Sequence, residues 1–255
     1  MTTWQDLIDE LDRWSEAGVK ADFWWRDDDA ATHTPQLDLL FKHAGSLPLA
    51  LAVIPSLATS DLADRLREEP SAVVMQHGWR HSNHSASGKS EYPASRSAHD
   101  VSEELAEGRR ILTAFFGNQS IAVFVPPWHG FDDQFLPLLP KSGISGLSRK
   151  GPRARPLAMK GLLEINAHAA PIKWTVPPSY GDDDTHLSII IDHLRGRRDK
   201  SYDPDEPTGL LTHHLTQNDR SYEFVSRLVH VISEHPAAIW RDSRDLFGSV
   251  APGQN

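Results

Sequence analysis

Acidic and imidazole side chains follow several predicted β-strands at the points where those strands end. They lie in three short segments, at residues 26–29, 77–81 and 211–214, and a fourth segment at residues 126–128, Pro-Pro-Trp, also follows a predicted strand. Because the active sites of α/β barrels gather at the carboxyl ends of the strands, we expect these side chains to converge. A carboxylate, two histidines four apart and a distant histidine in one place are typical of a metal-assisted hydrolytic site.

The two histidines of the second segment, His77 and His81, are four residues apart. On a helical turn this spacing puts both imidazoles on one side, close enough to share a metal ion. His84 lies three residues further on, and the sequence leaves open whether it joins them. Gly78 favours a tight exit from the preceding strand. The structural alternative for the pair is a solvated polar turn.

Three adjacent carboxylates, Asp27, Asp28 and Asp29, form the first segment together with Arg26. Adjacent carboxylates repel one another, so a bound cation or a nearby arginine would relieve the cost. The structural alternative is a solvated acidic turn or a helix N-cap. A second acidic run, at residues 182–184, receives the plain interpretation because it precedes a predicted helix whose positive end favours carboxylates.

The other two segments combine a rigid turn and a histidine pair. The prolines at residues 126–127 cannot continue a helix or a central strand, and Trp128 after them can form an apolar wall against a sugar ring. In the late segment Leu211 and His213 share one face of a strand, because side chains alternate with a period of two. His214 points the other way, and the sequence leaves the choice between the two histidines open. The structural alternatives are a plain turn and a core or edge histidine.

Apolar periodicity predicts alternating strands and helices along the chain. Strands are predicted at residues 21–26, 49–54, 72–76, 121–125, 144–147, 162–166, 209–212 and 238–240. Helices are predicted at residues 4–14, from residue 35, and at 60–66, 98–116, 132–142, 187–194 and 218–232, with a long surface loop at 82–97. This alternation indicates an α/β fold with a mostly parallel sheet, open or closed, in a single domain over residues 1–255.

The composition limits the class of protein. The net charge of −9 argues against a nucleic-acid partner. The chain contains no cysteine, which removes disulfides, thiolate nucleophiles and cysteine-based zinc sites. No apolar run reaches the roughly 18 residues that span a membrane, and the acidic N-terminal residues do not resemble a signal peptide. We therefore expect a cytoplasmic protein.

Taken in order, the four segments resemble the motifs of the polysaccharide deacetylase family, carbohydrate esterase family 4 (CE4). That family has an Asp-Asp motif, a His-x-x-x-His motif, a proline-rich motif with an arginine, and a late Leu-x-His motif. The resemblance covers residues 24–214 and implies a distorted (β/α) barrel with about seven strands. It implies Asp28 as general base and His213 as general acid. It also implies a divalent metal ion, for which we expect zinc, on Asp29, His77 and His81.

The resemblance further implies substrate contacts, and the chain departs from the family at one of them. Pro127 and Trp128 match the segment that lines the substrate, and Leu211 matches part of a pocket for the acetyl methyl group. The arginine of the proline-rich motif, which orients the base in the family, is replaced by Val125. We hypothesise that Arg26 takes its place from the first strand, close to the substrate. This departure indicates a divergent, cytoplasmic branch.

The function implied is removal of an N-acetyl group from an amino sugar or glycan precursor, with release of acetate. The extra Asp27 leaves the register of the Asp-Asp motif ambiguous by one residue. One alternative is a metal-dependent amidohydrolase on a non-sugar amide, since a fold does not fix its substrate. A second is a non-catalytic carbohydrate-binding relative, which the missing arginine favours. A third is a structural α/β domain with incidental histidines. The sequence predicts no oligomeric state.

Overall fold

Strands and helices alternate through most of residues 1–248, the part of the chain that this computed structural model describes. The strands of this part are β1 (Ala21–Ala30), β2 (Leu49–Val53), β3 (Ala72–His77), β4 (Ser120–Val125), β5 (Gly146–Leu147), β6 (Leu157–Met159), β7 (Leu162–Glu164), β8 (Thr208–Thr212) and β9 (Ala238–Trp240). The α-helices are α1 (Trp4–Glu16), α2 (Pro35–Ala44), α3 (Ser60–Leu66), α4 (Ala98–Phe116), α5 (Leu138–Lys141), α6 (Asp183–Asp199), α7 (Asp219–Glu234) and α8 (Ser243–Gly248). Short 3-10 helices occur at Pro55–Leu57, Gly117–Gln119, Pro127–His129 and Asp133–Phe135.

The strands form one mostly parallel sheet in the order β6-β7-β5-β4-β3-β2-β1-β8, with β9 pairing the start of β1. Only the β6–β7 pair is antiparallel among the described ladders. The α/β fold predicted from the sequence is confirmed, but the ladder does not close into a continuous barrel. Between β7 and β8 the link consists of isolated backbone contacts, such as the hydrogen bond of 2.8 Å from the Leu211 N–H to the Ala169 carbonyl. Parallel pairing brings the carboxyl ends of the strands to one edge.

Strand β1 is longer than predicted, which changes where the acidic residues lie. The prediction ended it at Arg26, whereas the strand continues to Ala30. Asp27, Asp28 and Asp29 therefore belong to the strand itself rather than to a turn after it. A buried strand can carry such charges only where each finds a partner, because an unpaired buried carboxylate is very costly. The partners are described below.

Local capping explains where the helices begin. In α1 the Thr3 and Asp6 side chains form a capping box. The Asp182 carboxylate accepts a hydrogen bond of 2.7 Å from the Thr185 N–H, which confirms the plain interpretation of residues 182–184.

The predicted helix at 132–142 is wrong in extent: it is a 3-10 turn followed by the four-residue α5. The proline within α5, Pro140, lacks the N–H that a longer helix needs.

Apolar side chains pack against both faces of the sheet. One cluster joins the sheet to α1, α2, α6 and α7. The opposite face holds a second cluster, in which Trp24, Met75, Val125 and Leu211 come from four different strands.

None of the helices in residues 1–248 has the length and apolarity required to cross a membrane.

Candidate active site

Asp29, His77 and His81 come together at the carboxyl edge of the sheet. Asp29 lies near the end of β1, His77 ends β3, and His81 follows in the next loop. Asp29 Oδ1 is 3.1 Å from His77 Nε2 and 3.2 Å from His81 Nε2. One ligand atom from each residue lies within 4.8 Å of the others, as metal coordination by three side chains requires.

The two histidines reach this position through an irregular loop and not through the helical turn that the sequence suggested. Gly78 and His81 have φ angles of 58° and 57°, which reverse the chain sharply after β3. The buried Glu91 carboxylate accepts hydrogen bonds from the N–H groups of Trp79, Arg80 and Ser82 at 3.1, 2.8 and 3.2 Å. Glu91 therefore fixes the backbone that carries His81. It lies in the predicted surface loop, where no sequence pattern singled it out.

The hydrogen bonding of His77 fits a metal ligand. Its Nδ1 lies 2.9 Å from the Val125 carbonyl oxygen, which can only accept, so Nδ1 carries the hydrogen. Nε2, which lies 3.1 Å from Asp29 Oδ1, is then the ring nitrogen left to bind a metal ion shared with Asp29, the usual arrangement for a metal-binding histidine. Burial by itself lowers the pKa of His77, but Asp28 and Asp29 raise it above the ordinary value. Burial alone would raise the pKa of Asp29. The hydrogen bond and charge of His77 outweigh burial, so the pKa of Asp29 is lowered.

A second buried cluster, His168, His193 and Glu206, also brings three possible ligand atoms within 4.8 Å. Here the hydrogen bonding does not fit a metal. His168 Nδ1 accepts a hydrogen bond of 2.9 Å from the Gly209 N–H, so the hydrogen of the neutral ring is on Nε2. That Nε2 faces Glu206 Oε2 at 3.5 Å. Burial lowers the pKa of His193 to about 4. This cluster is an ionised glutamate between two neutral histidines.

Asp28 is a buried carboxylate with one dominant partner. The Arg26 guanidinium donates hydrogen bonds from Nε and Nη2 to the two Asp28 oxygens at 2.7 and 3.1 Å. Burial would raise the pKa of Asp28, but Arg26 and then His77 hold it below the ordinary value. Arg26 is fully buried and also bonds Ser148. It is therefore placed to orient Asp28 and not to contact a substrate, which corrects the expectation that it lies against the substrate.

The side chains of Asp27 and His214 are paired with each other. The Asp27 carboxylate lies 2.5 Å from His214 Nδ1 and accepts further bonds from the His214 N–H and the Thr212 hydroxyl. Both side chains are buried and neither lines the cavity described next. This pairing separates Asp27 and His214 from Asp28, Asp29 and His213, the choice that the sequence left open.

A cavity of about 470 Å³ joins the candidate residues. It is lined by Asp28, Asp29, His77, His81, Lys89, Trp128, His129, Lys150, Trp174 and His213. A larger cavity, of about 810 Å³, lies at the amino-terminal ends of β1 and β8 and contains none of these residues. His84 is exposed and lies outside the 470 Å³ cavity. The two lysines and the role of His129 were not predicted, because none belongs to a recognisable spacing.

His213 lines the cavity, and its ring contacts few other side chains. Its Nδ1 is buried and has no hydrogen-bond partner among the described residues. The Trp174 ring meets it edge-on, with centroids 4.8 Å apart and an interplanar angle of 86°. His213 is close enough to lower the pKa of both Asp28 and Asp29. A side chain so placed can exchange a proton with a group bound in the cavity.

The proline-rich segment forms one wall of the cavity. Trp128 and His129 adopt φ angles of 52° and 63°, an unusual left-handed pair for residues other than glycine. The Trp128 ring lies 4.3 Å from the His81 ring, centroid to centroid. Pro127 is buried behind this wall, and Leu211 is buried in the apolar cluster beneath it. The substrate contacts expected of Pro127 and Leu211 stay predictions.

Solved structures of other proteins match this chain in fold, whereas sequence comparisons find no match. No family model matches the sequence, and no curated protein does. A protein from Mycobacterium smegmatis described as a candidate polysaccharide deacetylase matches with a TM-score of 0.66 and 12% identity, over 91% of this chain and 90% of that chain. A family 4 acetyl xylan esterase from Clostridium thermocellum, in complex with a cobalt ion, gives 0.57 and 10%, over 89% and 91%. This chain has the CE4 deacetylase fold.

A further neighbour bears on activity. It is a mutant of a CE4 family pseudoenzyme with restored enzymatic activity, and it matches with a TM-score of 0.58 and 13% identity, over 90% of this chain and 68% of that chain. At these identities the likeness shows the fold and leaves the chemistry to the side chains.

Proposed function

We propose that this protein is a metal-dependent hydrolase that removes the acetyl group from an N-acetylated amino sugar or glycan precursor and releases acetate. One observation carries the proposal: the Asp29–His77–His81 cluster and the Arg26-paired Asp28 face His213 across one cavity. The cobalt ion in the Clostridium thermocellum esterase of the same fold supports a divalent metal here, and we expect zinc. The cytoplasmic location stays a prediction from the sequence.

Each side chain of the site has a chemical task in this proposal. A divalent cation held by Asp29, His77 and His81 would polarise the acyl carbonyl and activate a water molecule. Asp28, whose lowered pKa keeps it ionised at neutral pH, would accept the proton of the attacking water. His213 would donate a proton to the nitrogen as the amide C–N bond breaks. Arg26 would hold the Asp28 carboxylate in one orientation throughout.

The non-catalytic alternative depended on the missing motif arginine. Arg26 weakens that argument, because it supplies the base with a bidentate partner from another position. Two tryptophans, Trp128 and Trp174, line the cavity, which favours a sugar ring over a small non-sugar amide because aromatic faces pack against apolar sugar faces.

The proposal is tested by measuring metal content and acetate release together. Wild type is expected to hold about one zinc ion per chain, as a three-ligand catalytic site does, and to release acetate from N-acetylated sugars. Asp29→Ala and His81→Ala should lose both properties. His84→Ala is the matched control, since this exposed histidine is outside the cavity, and should retain both. An acetate-releasing wild type without metal, or metal retained in Asp29→Ala but lost in His168→Asn, would refute the site assignment.

A further inference from the structure

Two lysines of the active-site cavity, Lys89 and Lys150, have no acidic partner. Among residues 1–248 no carboxylate lies within ion-pair distance of either ammonium group, whereas Asp28 is already paired with Arg26. If Asp29 binds a divalent cation, as proposed above, its charge is also neutralised. The charges left to face a substrate are then positive, in a chain whose net charge is −9.

Lys150 lines the cavity beside His129 and is exposed to solvent. Desolvation by its surroundings and the charge of Arg26 lower the pKa of Lys150. The neighbouring imidazole, His129, adds no positive charge beside Lys150, because burial and Arg26 lower its pKa to about 3 and keep the ring neutral. The Lys150 side chain is exposed at the cavity and has no carboxylate partner among the described residues, so its ammonium group is free to bind an anion carried by the ligand.

Lys150 also stands where the cavity meets a second groove. This groove, of about 570 Å³, shares only Lys150 and His129 with the cavity. Of its other basic side chains, Arg149 is paired with Glu164 at 2.9 Å. Arg153 is paired with Asp203 at 2.9 Å, and within residues 1–248 Arg155 bonds only the Ala158 carbonyl, at 3.0 Å. A ligand that fills the cavity and continues into the groove must therefore pass the Lys150 ammonium.

We propose that the substrate is a phosphorylated amino sugar, with its acylated nitrogen at the Asp28 side of the cavity and its phosphate on Lys150. This inference rests on the proposed function and names its substrate class. A lysine ammonium acts as a point charge and is a common ligand of phosphate groups in proteins. Lys89 also lines the cavity, with its Nζ 5.9 Å from the centroid of the Trp128 ring, and adds to the positive field.

The test compares N-acetylglucosamine with N-acetylglucosamine 1-phosphate as substrates of the metal-loaded protein. Wild type should show a kcat/KM about 10- to 100-fold higher for the phosphate, the range that one charged hydrogen bond provides. Lys150→Met should reduce this ratio at least about tenfold, and added salt should reduce it in wild type. Lys42→Met is the matched control, because Lys42 is exposed on α2 and outside the cavity, and should keep the wild-type ratio.

The outcomes separate this inference from the proposed function. Equal kcat/KM values for the two sugars in wild type would overturn the inference and leave the deacetylase function in place. If neither sugar is hydrolysed, the function fails, and calorimetric titration with glucosamine 1-phosphate decides the inference alone. Binding that is weakened in Lys150→Met but not in Lys42→Met would sustain it, and absence of binding would overturn it.

Discussion

Arg26 holds both carboxylate oxygens of Asp28 from the same strand, two residues earlier in the chain. Side chains two apart on a β-strand share one face, which makes the bidentate contact possible. The position that the motif resemblance assigns to the family's arginine is Val125, an apolar core residue. The proposed base and its positive partner are therefore both contributed by β1.

Replacing Arg26 should move the acidic limb of the pH–rate profile. Arg26 opposes the effect of burial and lowers the pKa of Asp28, so Arg26→Met should raise that pKa. Because the base acts only when ionised, activity should then be lost at a higher pH than in wild type. Arg26→Lys keeps the charge without the fork and should shift the limb less. The profile of kcat/KM between pH 4 and pH 9 measures this, and an unshifted limb in Arg26→Met would contradict the role given to Arg26.

Asp27→Asn should cost stability while sparing metal binding. Removing the charge from a buried ion pair typically costs about 3 kcal/mol or more. Burial lowers and Asp27 raises the pKa of His214, with a net increase. The resulting stabilisation is complete below the unfolded-state pKa near 6.5 and is lost as pH rises through the folded-state pKa. Thermal melts should therefore show a larger gap between wild type and Asp27→Asn at pH 6 than at pH 9.

The converse variant is the control for that experiment. Asp29→Asn should lose the metal with a smaller change in the melting temperature of the metal-free protein, because Asp29 is the most exposed of the three acids. Loss of metal in Asp27→Asn with no change in stability would contradict the separation of Asp27 from the metal-binding side chains.

Glu91→Gln should weaken metal binding although Glu91 does not touch the proposed ligand atoms. Three backbone N–H groups that position His81 converge on its carboxylate, and an amide offers them only one oxygen. Outer partners of metal ligands typically contribute about 10- to 100-fold in affinity. Competition with a zinc chelator measures the effect. Glu103→Gln, an exposed neutralisation on α4, is the control, and equal affinities in the two variants would remove Glu91 from the site.

Trp174→Ala should lower the catalytic rate through His213. The edge-on ring contact is the only aromatic support of His213 recorded in residues 1–248, and such contacts contribute about 0.5 to 1.5 kcal/mol. A two- to tenfold fall in kcat follows, within about that energy range. Trp174→Phe retains a ring and should recover most of the loss. A change in KM alone, with kcat intact, would assign Trp174 to substrate binding instead.

Sequence patterns predicted the strands because continuous apolar runs are typical of buried strands. They predicted the place of the candidate active site because polar side chains follow the ends of those strands. They located His77, His81, Asp28 and Asp29 correctly at one edge, since parallel strands end together. They could not distinguish Asp27 from Asp28 and Asp29, because the partner of Asp27 is a histidine 187 positions away.

Other failures have equally physical causes. Glu91 looked like a residue of a polar surface loop, and its importance comes from backbone N–H groups that no sequence pattern displays. The helix before β5 is shorter than its apolar pattern predicts because Pro137 and Pro140 interrupt it. Lys150 was missed because a lone lysine after a short strand has no distinguishing spacing.

The position of Arg26 has a consequence for sorting distant relatives into active and inactive ones. A rule that looks for the arginine in the proline-rich motif would discard this chain at Val125, although Asp28 has its counter-ion. The criterion that the geometry supports is a guanidinium within reach of the base from any direction, including an Arg-x-Asp-Asp signature within one strand. Under that criterion, some chains classed as inactive by motif alone become candidates for assay.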